Sequence, residues 1–257
     1  MKLLYGTAWK EDDTARCVRD ALLAGYRGID TANQRKHYHE AQVGQAIRGF
    51  PRDQLFLQTK FASKSGQDRR LPYDAAAPLS RQVEQSFQSS LEHLGTRFID
   101  SYVLHGPSSR EGWHPNDEEV WAAMEVLHQR GLAKALGVSN VSADQLELLC
   151  AKAKVQPKYV QNRCYARTGW DQRVRELCMQ RGITYQGFSL LTANPEAVQK
   201  AVPIAAKHGV TPQQVIFAFA LAVGMLPLTG TTDPQHMKED LAAAAVQLTP
   251  DEVRLLQ

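Results

Sequence analysis

The chain has 257 residues, of which 43% are hydrophobic and 22% are charged, close to the usual composition of globular domains. This apolar content is sufficient for a large buried core, so the composition excludes intrinsic disorder. The 30 basic and 27 acidic residues leave a net charge of +3, and without a block of like charge we expect no nucleic-acid partner.

The sequence shows no targeting or membrane segment. The N-terminus MKLLYGTAWK has only a short apolar stretch before Gly6, which lacks the apolar core of a signal peptide. The longest apolar run, Val215–Leu226, is well short of the ~20 residues of a membrane span. We therefore expect a cytoplasmic protein with no membrane partner.

Four cysteines without CxxC or metal-ligand spacing predict reduced buried thiols and no metal site: Cys17, Cys150, Cys164 and Cys178.

Short β-rich segments alternate with segments of helical periodicity along nearly the whole chain. The predicted strands are Leu3–Tyr5, Gly28–Asp30, Leu55–Lys60, Ile99–His105, Ala135–Ser139, Tyr159–Gln161, Ile183–Phe188 and Met225–Thr229. The predicted helices are Asp12–Ala24, Ser80–Leu94, Asp117–Gln129, Ser142–Lys154, Asp171–Gln180, Pro203–His208 and Thr211–Val223. Glycines that follow several of these helices are typical helix ends.

This alternation predicts an α/β fold, a single-domain (β/α)8 TIM barrel over residues 1–257, because eight strand–helix units match its stoichiometry. A doubly wound sheet is less favoured, because the chain has neither GxGxxG nor GxxxxGK[ST], the phosphate-binding turns of such folds. Two polar loops, 62–79 and 106–116, follow the C-terminal ends of predicted strands. A barrel has its active site at this end.

Ionisable side chains stand at the ends of three consecutive predicted strands: Asp30, Lys60 and His105. In a barrel these positions converge on one side of the mouth. One polar residue at a strand end usually faces only solvent, but an acid, an amine and an imidazole in succession favour a functional site. The next strands end in amides and hydroxyls, at Ser139–Asn140 and Gln161–Asn162.

Six segments together resemble one enzyme family. They are GYRGIDTANQRKHYHEAQVGQAI (25–47), FLQTK (56–60), IDSYVLHGP (99–107), LGVSN (136–140), VQNR (160–163) and PLTGTTDPQHMKEDL (227–241). In this order, and almost from end to end, the chain resembles the aldo-keto reductases. The resemblance implies NAD(P)H-dependent reduction of aldehydes and ketones to alcohols, with Asp30, Lys60 and His105 at the positions of the catalytic aspartate, lysine and histidine.

The position of the catalytic tyrosine is ambiguous by one residue. In many members it comes five residues after the aspartate, where this chain has Arg35. Counting back from Glu40 points to His37 in the commonest register, whereas the neighbouring residue is Tyr38. We assign Tyr38 because the proton transfer requires a phenol, and because a branch of the family with a longer KHY segment has the same spacing.

The chemistry of carbonyl reduction explains this set of residues. Hydride transfer leaves negative charge on the carbonyl oxygen, and a proton donor must neutralise it. We expect the Lys60 ammonium to lower the pKa of Tyr38 and the Asp30 carboxylate to hold Lys60 charged. We expect His105 to donate a hydrogen bond that orients the carbonyl.

The resemblance also implies a nicotinamide dinucleotide and a small-molecule carbonyl substrate. The resemblance favours NADP(H) as the cofactor. Many members have a Lys-Ser pair and a later arginine at the adenosine 2′-phosphate, and because this chain lacks them the preference is weakened and NAD(H) stays an open alternative. The implied cofactor residues are Thr7, Ser139, Asn140, Gln161, Phe188, Ser189, Leu191, Gly230, Thr231, Thr232, His236 and Asp240. Candidate substrate walls are Trp9, Phe61 and Trp113. The chain is short at both termini relative to many members, and we expect a monomer.

Three other functions stay open on the residues alone. A metal-dependent barrel hydrolase is disfavoured, because the HYH triplet (37–39) follows strand two and no third ligand stands at a matched strand end. A Schiff-base aldolase would use Lys60 as its nucleophile. A nicotinamide-binding barrel with a regulatory or sensing role would keep the cofactor site but turn over slowly.

Overall fold

A computed structural model describes residues 1–257. Eight parallel strands close into a barrel in sequence order, and β1 pairs with β8 through Leu4 and Leu228 to complete it. The (β/α)8 prediction is thus confirmed, with each strand within two residues of its predicted ends. The strands are β1 Leu4–Gly6, β2 Gly28–Asp30, β3 Phe56–Phe61, β4 Ser101–Leu104, β5 Leu136–Ser139, β6 Tyr159–Arg163, β7 Thr184–Phe188 and β8 Leu226–Thr229.

Ten α-helices surround the barrel or follow it in the chain. They are α1 Thr14–Ala24, α2 Glu40–Ile47, α3 Leu79–Leu94, α4 Pro115–Gln129, α5 Ala143–Lys152, α6 Gln172–Gln180, α7 Pro195–His208, α8 Pro212–Ala222, α9 Pro234–Ala242 and α10 Pro250–Leu256. No helix is both long and apolar enough to cross a membrane. Several begin with proline, whose missing N–H costs nothing in the first turn.

One predicted helix boundary is wrong. Helix α7 begins at Pro195, not at Pro203, which lies inside it. An internal proline removes one helical hydrogen bond, so a sequence pattern places a helix start there. The buried face of α7, which includes Ala201 and Ile204 on either side of the proline, packs into the core. This packing stabilises the helix across Pro203.

The interior of the barrel differs from its surroundings. A cluster of 57 buried apolar residues packs the barrel against the helices, whereas only Leu4, Leu226 and Leu228 form an apolar cluster within the barrel. Branched apolar side chains usually fill such an interior. Here a polar layer lies beneath the C-terminal rim, each member at most 3% exposed: Asp30, Gln58, Lys60, Gln161 and Gln186.

Helix α2 approaches the end of α3 very closely at Gly44. A Cβ at this position would lie 1.9 Å from the carbonyl oxygen of His93. Such a contact forces the two backbones apart, because neither atom belongs to a flexible side chain. The same region contains the buried Glu40 carboxylate, which accepts a bond from His93 Nδ1 at 3.2 Å.

Gly44→Ala is therefore expected to lower the free energy of unfolding by about 1–3 kcal/mol. For a chain of this size each kcal/mol lowers the melting temperature by about 2–4 °C, so we expect a fall of several degrees. Thermal unfolding followed by circular dichroism measures the change. Gly66→Ala is the matched control, because its Cβ would meet nothing closer than 3.7 Å. Equal melting temperatures for the two variants would contradict the close approach.

Candidate active site

A cavity of about 980 Å³ opens at the C-terminal end of the barrel. The structure brings most of the predicted site residues to its wall, although they come from all parts of the chain. They are Trp9, Asp30, Tyr38, His105, Ser139, Asn140, Gln161, Phe188, Ser189, Leu191, Gly230, Thr231, Thr232, His236 and Asp240. Lys60 lies directly beneath this wall and is fully buried.

Besides Lys60, three predicted residues do not line the cavity. Phe61 is fully buried and packs on Tyr73, with ring centroids 5.7 Å apart. Its neighbour Lys60 points into the barrel, and strand alternation therefore turns Phe61 outward into the core. Trp113 packs on Trp121 at 6.5 Å. Thr7 is buried, and its Oγ1 donates to the backbone carbonyl of Asp30 at 3.0 Å. Phe61 and Trp113 thus do not line the cavity, where the sequence had suggested substrate walls, and Thr7 supports β2 instead of facing the cavity.

A buried ion pair forms the floor of the site. Lys60 Nζ donates to both carboxylate oxygens of Asp30, at 2.8 and 2.7 Å, and to the carbonyl of Thr31 at 2.8 Å. These three acceptors use all the N–H groups of the ammonium. Burial lowers the pKa of Lys60, and the adjacent Asp30 carboxylate opposes this shift. The predicted pairing of Asp30 with Lys60 is present in the structure.

Tyr38, and not His37, lies over this pair. The Lys60 ammonium is 5.2 Å from the centre of the Tyr38 ring, and the Tyr38 hydroxyl makes no hydrogen bond within the protein. Burial raises the pKa of Tyr38, and the negative charge of Asp30 raises it further. The net pKa of Tyr38 is therefore raised and not lowered, because burial and the Asp30 charge outweigh the favourable effect of the Lys60 cation on the phenolate.

The two histidines of the site face different partners. His37 stacks on Trp9, with ring centroids 3.9 Å apart, at the open side of the cavity. The His105 ring lies 5.9 Å from the Tyr38 ring in an edge-to-face arrangement. Burial lowers the pKa of His105 to about 3, with smaller effects from Lys60 and His37. His105 is thus neutral near pH 7 and has a single ring N–H to donate.

The hydroxyl and amide groups after β5 and β6 form a connected network. Asn140 Nδ2 donates to the carbonyl of His105 at 2.8 Å and to Ser139 Oγ at 3.1 Å. Ser139 Oγ in turn donates to the backbone carbonyl of Gln161 at 2.6 Å. Asn140 has a φ of 57°, an uncommon left-handed conformation, which this network stabilises. These bonds fix the rim next to His105.

Two glutamines that the sequence analysis did not select join the ion pair. Gln58 Nε2 donates to Asp30 Oδ1 at 2.7 Å and to Gln186 Oε1 at 2.8 Å. Gln161 Nε2 donates to the same two atoms, at 3.0 and 2.9 Å. The available signal was a single glutamine in each otherwise largely apolar or aromatic strand, FLQTK and TYQGF.

Two cations at the cavity wall were also missed. Lys10 is 5% exposed, forms no salt bridge, and donates to the carbonyl of Gly230 at 2.6 Å; burial lowers its pKa. The Arg163 guanidinium lies 5.5 Å from the centre of the Phe188 ring and likewise forms no salt bridge. Positive charge without an acidic partner is a feature of anion-binding cavities.

Polar residues of α9 and of the loop after β8 form another part of the cavity wall. Thr231 and Thr232 follow β8, and His236 lies exposed on α9. Asp240, also on α9, accepts a bond from Thr229 Oγ1 at 2.5 Å, and burial raises its pKa to about 6. No group of three or more His, Cys, Asp or Glu side chains is arranged to hold a metal ion, and the four cysteines are free and buried.

Comparisons with known proteins agree with this architecture. The profile of the Aldo/keto reductase family matches residues 2–257. A 9,11-endoperoxide prostaglandin H2 reductase of Trypanosoma cruzi is 31% identical over 257 residues, covering 96% of this chain and 83% of the relative. Deoxymugineic acid synthase 1-D of Triticum aestivum is 32% identical over 273 residues, covering 95% and 81%.

Solved structures give the same result. An aldo/keto reductase from Brucella melitensis has a TM-score of 0.85 at 26% identity, covering 99% of this chain and 92% of that one. The Bombyx mori aldo-keto reductase in complex with NADP has a TM-score of 0.81 at 25% identity, covering 99% and 87%. The profile match over nearly the whole length, together with these relatives, shows that the chain belongs to the aldo-keto reductase family.

Proposed function

We propose that this protein reduces small aldehydes and ketones to alcohols with a nicotinamide dinucleotide, preferentially NADPH. The proposal rests on one observation above all. A buried Asp30–Lys60 pair lies under a tyrosine whose hydroxyl has no partner, and a neutral histidine stands beside that tyrosine at the wall of a large cavity. This is an arrangement for binding and protonating a carbonyl oxygen.

Tyr38 and His105 are the groups that orient the substrate. The Tyr38 hydroxyl and the single N–H of neutral His105 are both donors, and a carbonyl oxygen between them accepts from each. When bound, a nicotinamide dinucleotide would supply the hydride for the carbonyl carbon, and the oxygen held by Tyr38 and His105 would then carry negative charge. Donors already in place stabilise the charge without the cost of reorganising.

The proton then comes from Tyr38. Its raised pKa keeps the hydroxyl protonated near neutral pH, so the donor is loaded before reaction. Proton transfer to the alkoxide creates a phenolate next to the Lys60 ammonium, and a cation at about this distance favours the charged form. Asp30 holds Lys60 in place through two hydrogen bonds. We assign Lys60, held by Asp30, the task of stabilising this phenolate, which offsets part of the rise in the pKa of Tyr38 that burial causes.

The remaining wall suits an extended dinucleotide. Phe188 offers an aromatic face for the nicotinamide ring, and Ser139, Asn140 and Gln161 supply polar atoms for its carboxamide. Lys10 and Arg163 provide unpaired positive charge for the pyrophosphate, and the backbone at Ser189 and Leu191 borders the same path. We assign the adenosine end to Gly230, Thr231, Thr232, His236 and Asp240, with Lys238 on α9 as an additional cation for a 2′-phosphate.

The geometry argues against the rival enzyme class. A Schiff-base aldolase requires a neutral lysine amine that is free to attack a carbonyl. All three protons of Lys60 are engaged by Asp30 and Thr31, and the side chain does not reach the cavity wall.

A regulatory barrel with slow turnover is the remaining alternative, and turnover of nitrobenzaldehyde with NADPH distinguishes it from a reductase. A cytoplasmic location and a monomeric state are also part of the proposal.

Tyr38→Phe removes the proton donor and leaves the ring in place, so the rate of carbonyl reduction is expected to fall about 10²–10⁴-fold. The affinity for NADPH should stay within about twofold, because the hydroxyl is assigned to the substrate and not to the cofactor. Steady-state kinetics with nitrobenzaldehyde and fluorescence titration with NADPH measure the two quantities.

His37→Ala is the matched control for Tyr38→Phe, because His37 is the neighbouring candidate for the same role and stacks on Trp9. We expect it to reduce turnover much less than Tyr38→Phe. If His37→Ala abolishes turnover while Tyr38→Phe is mild, an imidazole delivers the proton and the assignment is wrong.

Lys10→Met removes a buried cation while keeping the length and apolar stem of the side chain. We expect weaker binding of NADPH and of NADH by about tenfold or more, since a charge-assisted bond to the shared pyrophosphate is lost. Parallel fluorescence titrations of both dinucleotides measure this, with Lys238→Met as the comparison. Lys238→Met should weaken NADPH alone. Unchanged affinities in Lys10→Met would contradict the pyrophosphate assignment, and tighter NADH than NADPH in the unaltered protein would contradict the preference.

A further inference from the structure

Gln58, Gln161 and Gln186 connect strands that are not all neighbours in the barrel. Gln58 is on β3 and Gln186 is on β7, so their hydrogen bonds cross the interior. Each is at most 3% exposed. An amide buried without partners costs free energy, and apolar side chains would fill this space without that requirement. The three amides therefore have a role beyond packing.

The direction of every bond in this group follows from Asp30. An ionised carboxylate only accepts hydrogen bonds, so the Gln58 nitrogen must face Asp30 Oδ1, at 2.7 Å. The Gln58 oxygen then faces the Gln186 nitrogen, from which it accepts at 3.0 Å. The Gln186 oxygen consequently faces the Gln58 and Gln161 nitrogens, at 2.8 and 2.9 Å.

Gln161 is the member of this hydrogen-bonded group that reaches the cavity. Gln161 Nε2 is held by Gln186 Oε1 and by Asp30 Oδ1. Gln161 Oε1 has no partner within the protein, and Gln161 lines the cavity. An amide normally rotates to present either its oxygen or its nitrogen. Here both neighbours of the nitrogen are acceptors, and only the oxygen is left to face a ligand.

We propose that Gln58 and Gln186 are positioning residues that lock the Gln161 amide with its oxygen toward the cavity, so that this point of the site selects a ligand with an N–H donor. The inference rests on the proposed function, in which the ligand is a nicotinamide dinucleotide and the donor is its carboxamide. The same bonds hold Asp30, so the ion pair beneath Tyr38 and the cofactor contact are oriented by one set of amides.

The acetylpyridine analogue of NADP⁺ tests this selection, because a methyl ketone replaces the carboxamide and removes only the N–H donor. The quantity measured is the ratio of its dissociation constant to that of NADP⁺, by titration without turnover. In the unaltered protein we expect a ratio of about two- to tenfold in favour of NADP⁺, the usual value of one hydrogen bond. Gln186→Met preserves length and removes one of the two acceptors that hold Gln161 Nε2, leaving Asp30 as the other. Gln58→Met preserves length and removes the amide that orients Gln186. The ratio should fall toward one, most in the double variant.

Leu226→Met is the matched control. It alters packing inside the same barrel, in the apolar cluster with Leu4 and Leu228, and should leave the ratio unchanged. Binding of 2′-phospho-ADP-ribose, which lacks the nicotinamide, should be the same in all variants. A ratio near one in the unaltered protein, a ratio that both single variants retain, or an equal fall in Leu226→Met would overturn the inference while leaving the proposed function intact. Failure of the unaltered protein to bind either dinucleotide would instead reject the proposed function, and the inference with it.

Discussion

The Asp30–Lys60 ion pair is the interaction on which the rest of this structure depends. Both side chains are almost completely excluded from solvent, where an unpaired charge is strongly unfavourable and a paired one requires full hydrogen bonding. The ammonium makes three bonds, and the carboxylate accepts four, from Lys60, Gln58 and Gln161. The polar layer within the barrel is the set of groups that satisfies this pair.

This constraint links the fold to the chemistry. Strands β2, β3, β6 and β7 each contribute one or more members of the polar layer, so the closed barrel must be in register for the pair to be satisfied. Tyr38 and His105 then stand above the pair, at the end of the barrel where the strands open into loops. The positive charge of Lys60 affects both: it lies under the tyrosine ring and contributes to the low pKa of His105.

Much of this arrangement could be predicted from the sequence, because it depends on regular spacing. The strands have clear apolar signals, and Asp30, Lys60 and His105 stand at their ends. The orientation of Phe61 depended on knowing that Lys60 points inward, and Trp113 was placed in a loop whose packing no local pattern specifies. Gln58 and Gln186 were missed because their role appears only when distant strands meet. The net pKa of Tyr38 is raised because burial and the Asp30 charge outweigh the Lys60 cation, and the depth of this burial could not be predicted from the sequence.

The central claim is that Lys60 acts on Tyr38 by stabilising the phenolate formed during reduction, and single-turnover kinetics of Lys60→Met test it most directly. With saturating NADPH, and with folding verified by circular dichroism, the account predicts that reduction of nitrobenzaldehyde slows about 10²–10⁴-fold while NADPH affinity changes little. Raising the pH should not restore the rate, because the reaction requires a protonated Tyr38 and a higher pH cannot replace the missing cation. A variant that reduces the aldehyde at the unaltered rate would contradict the account.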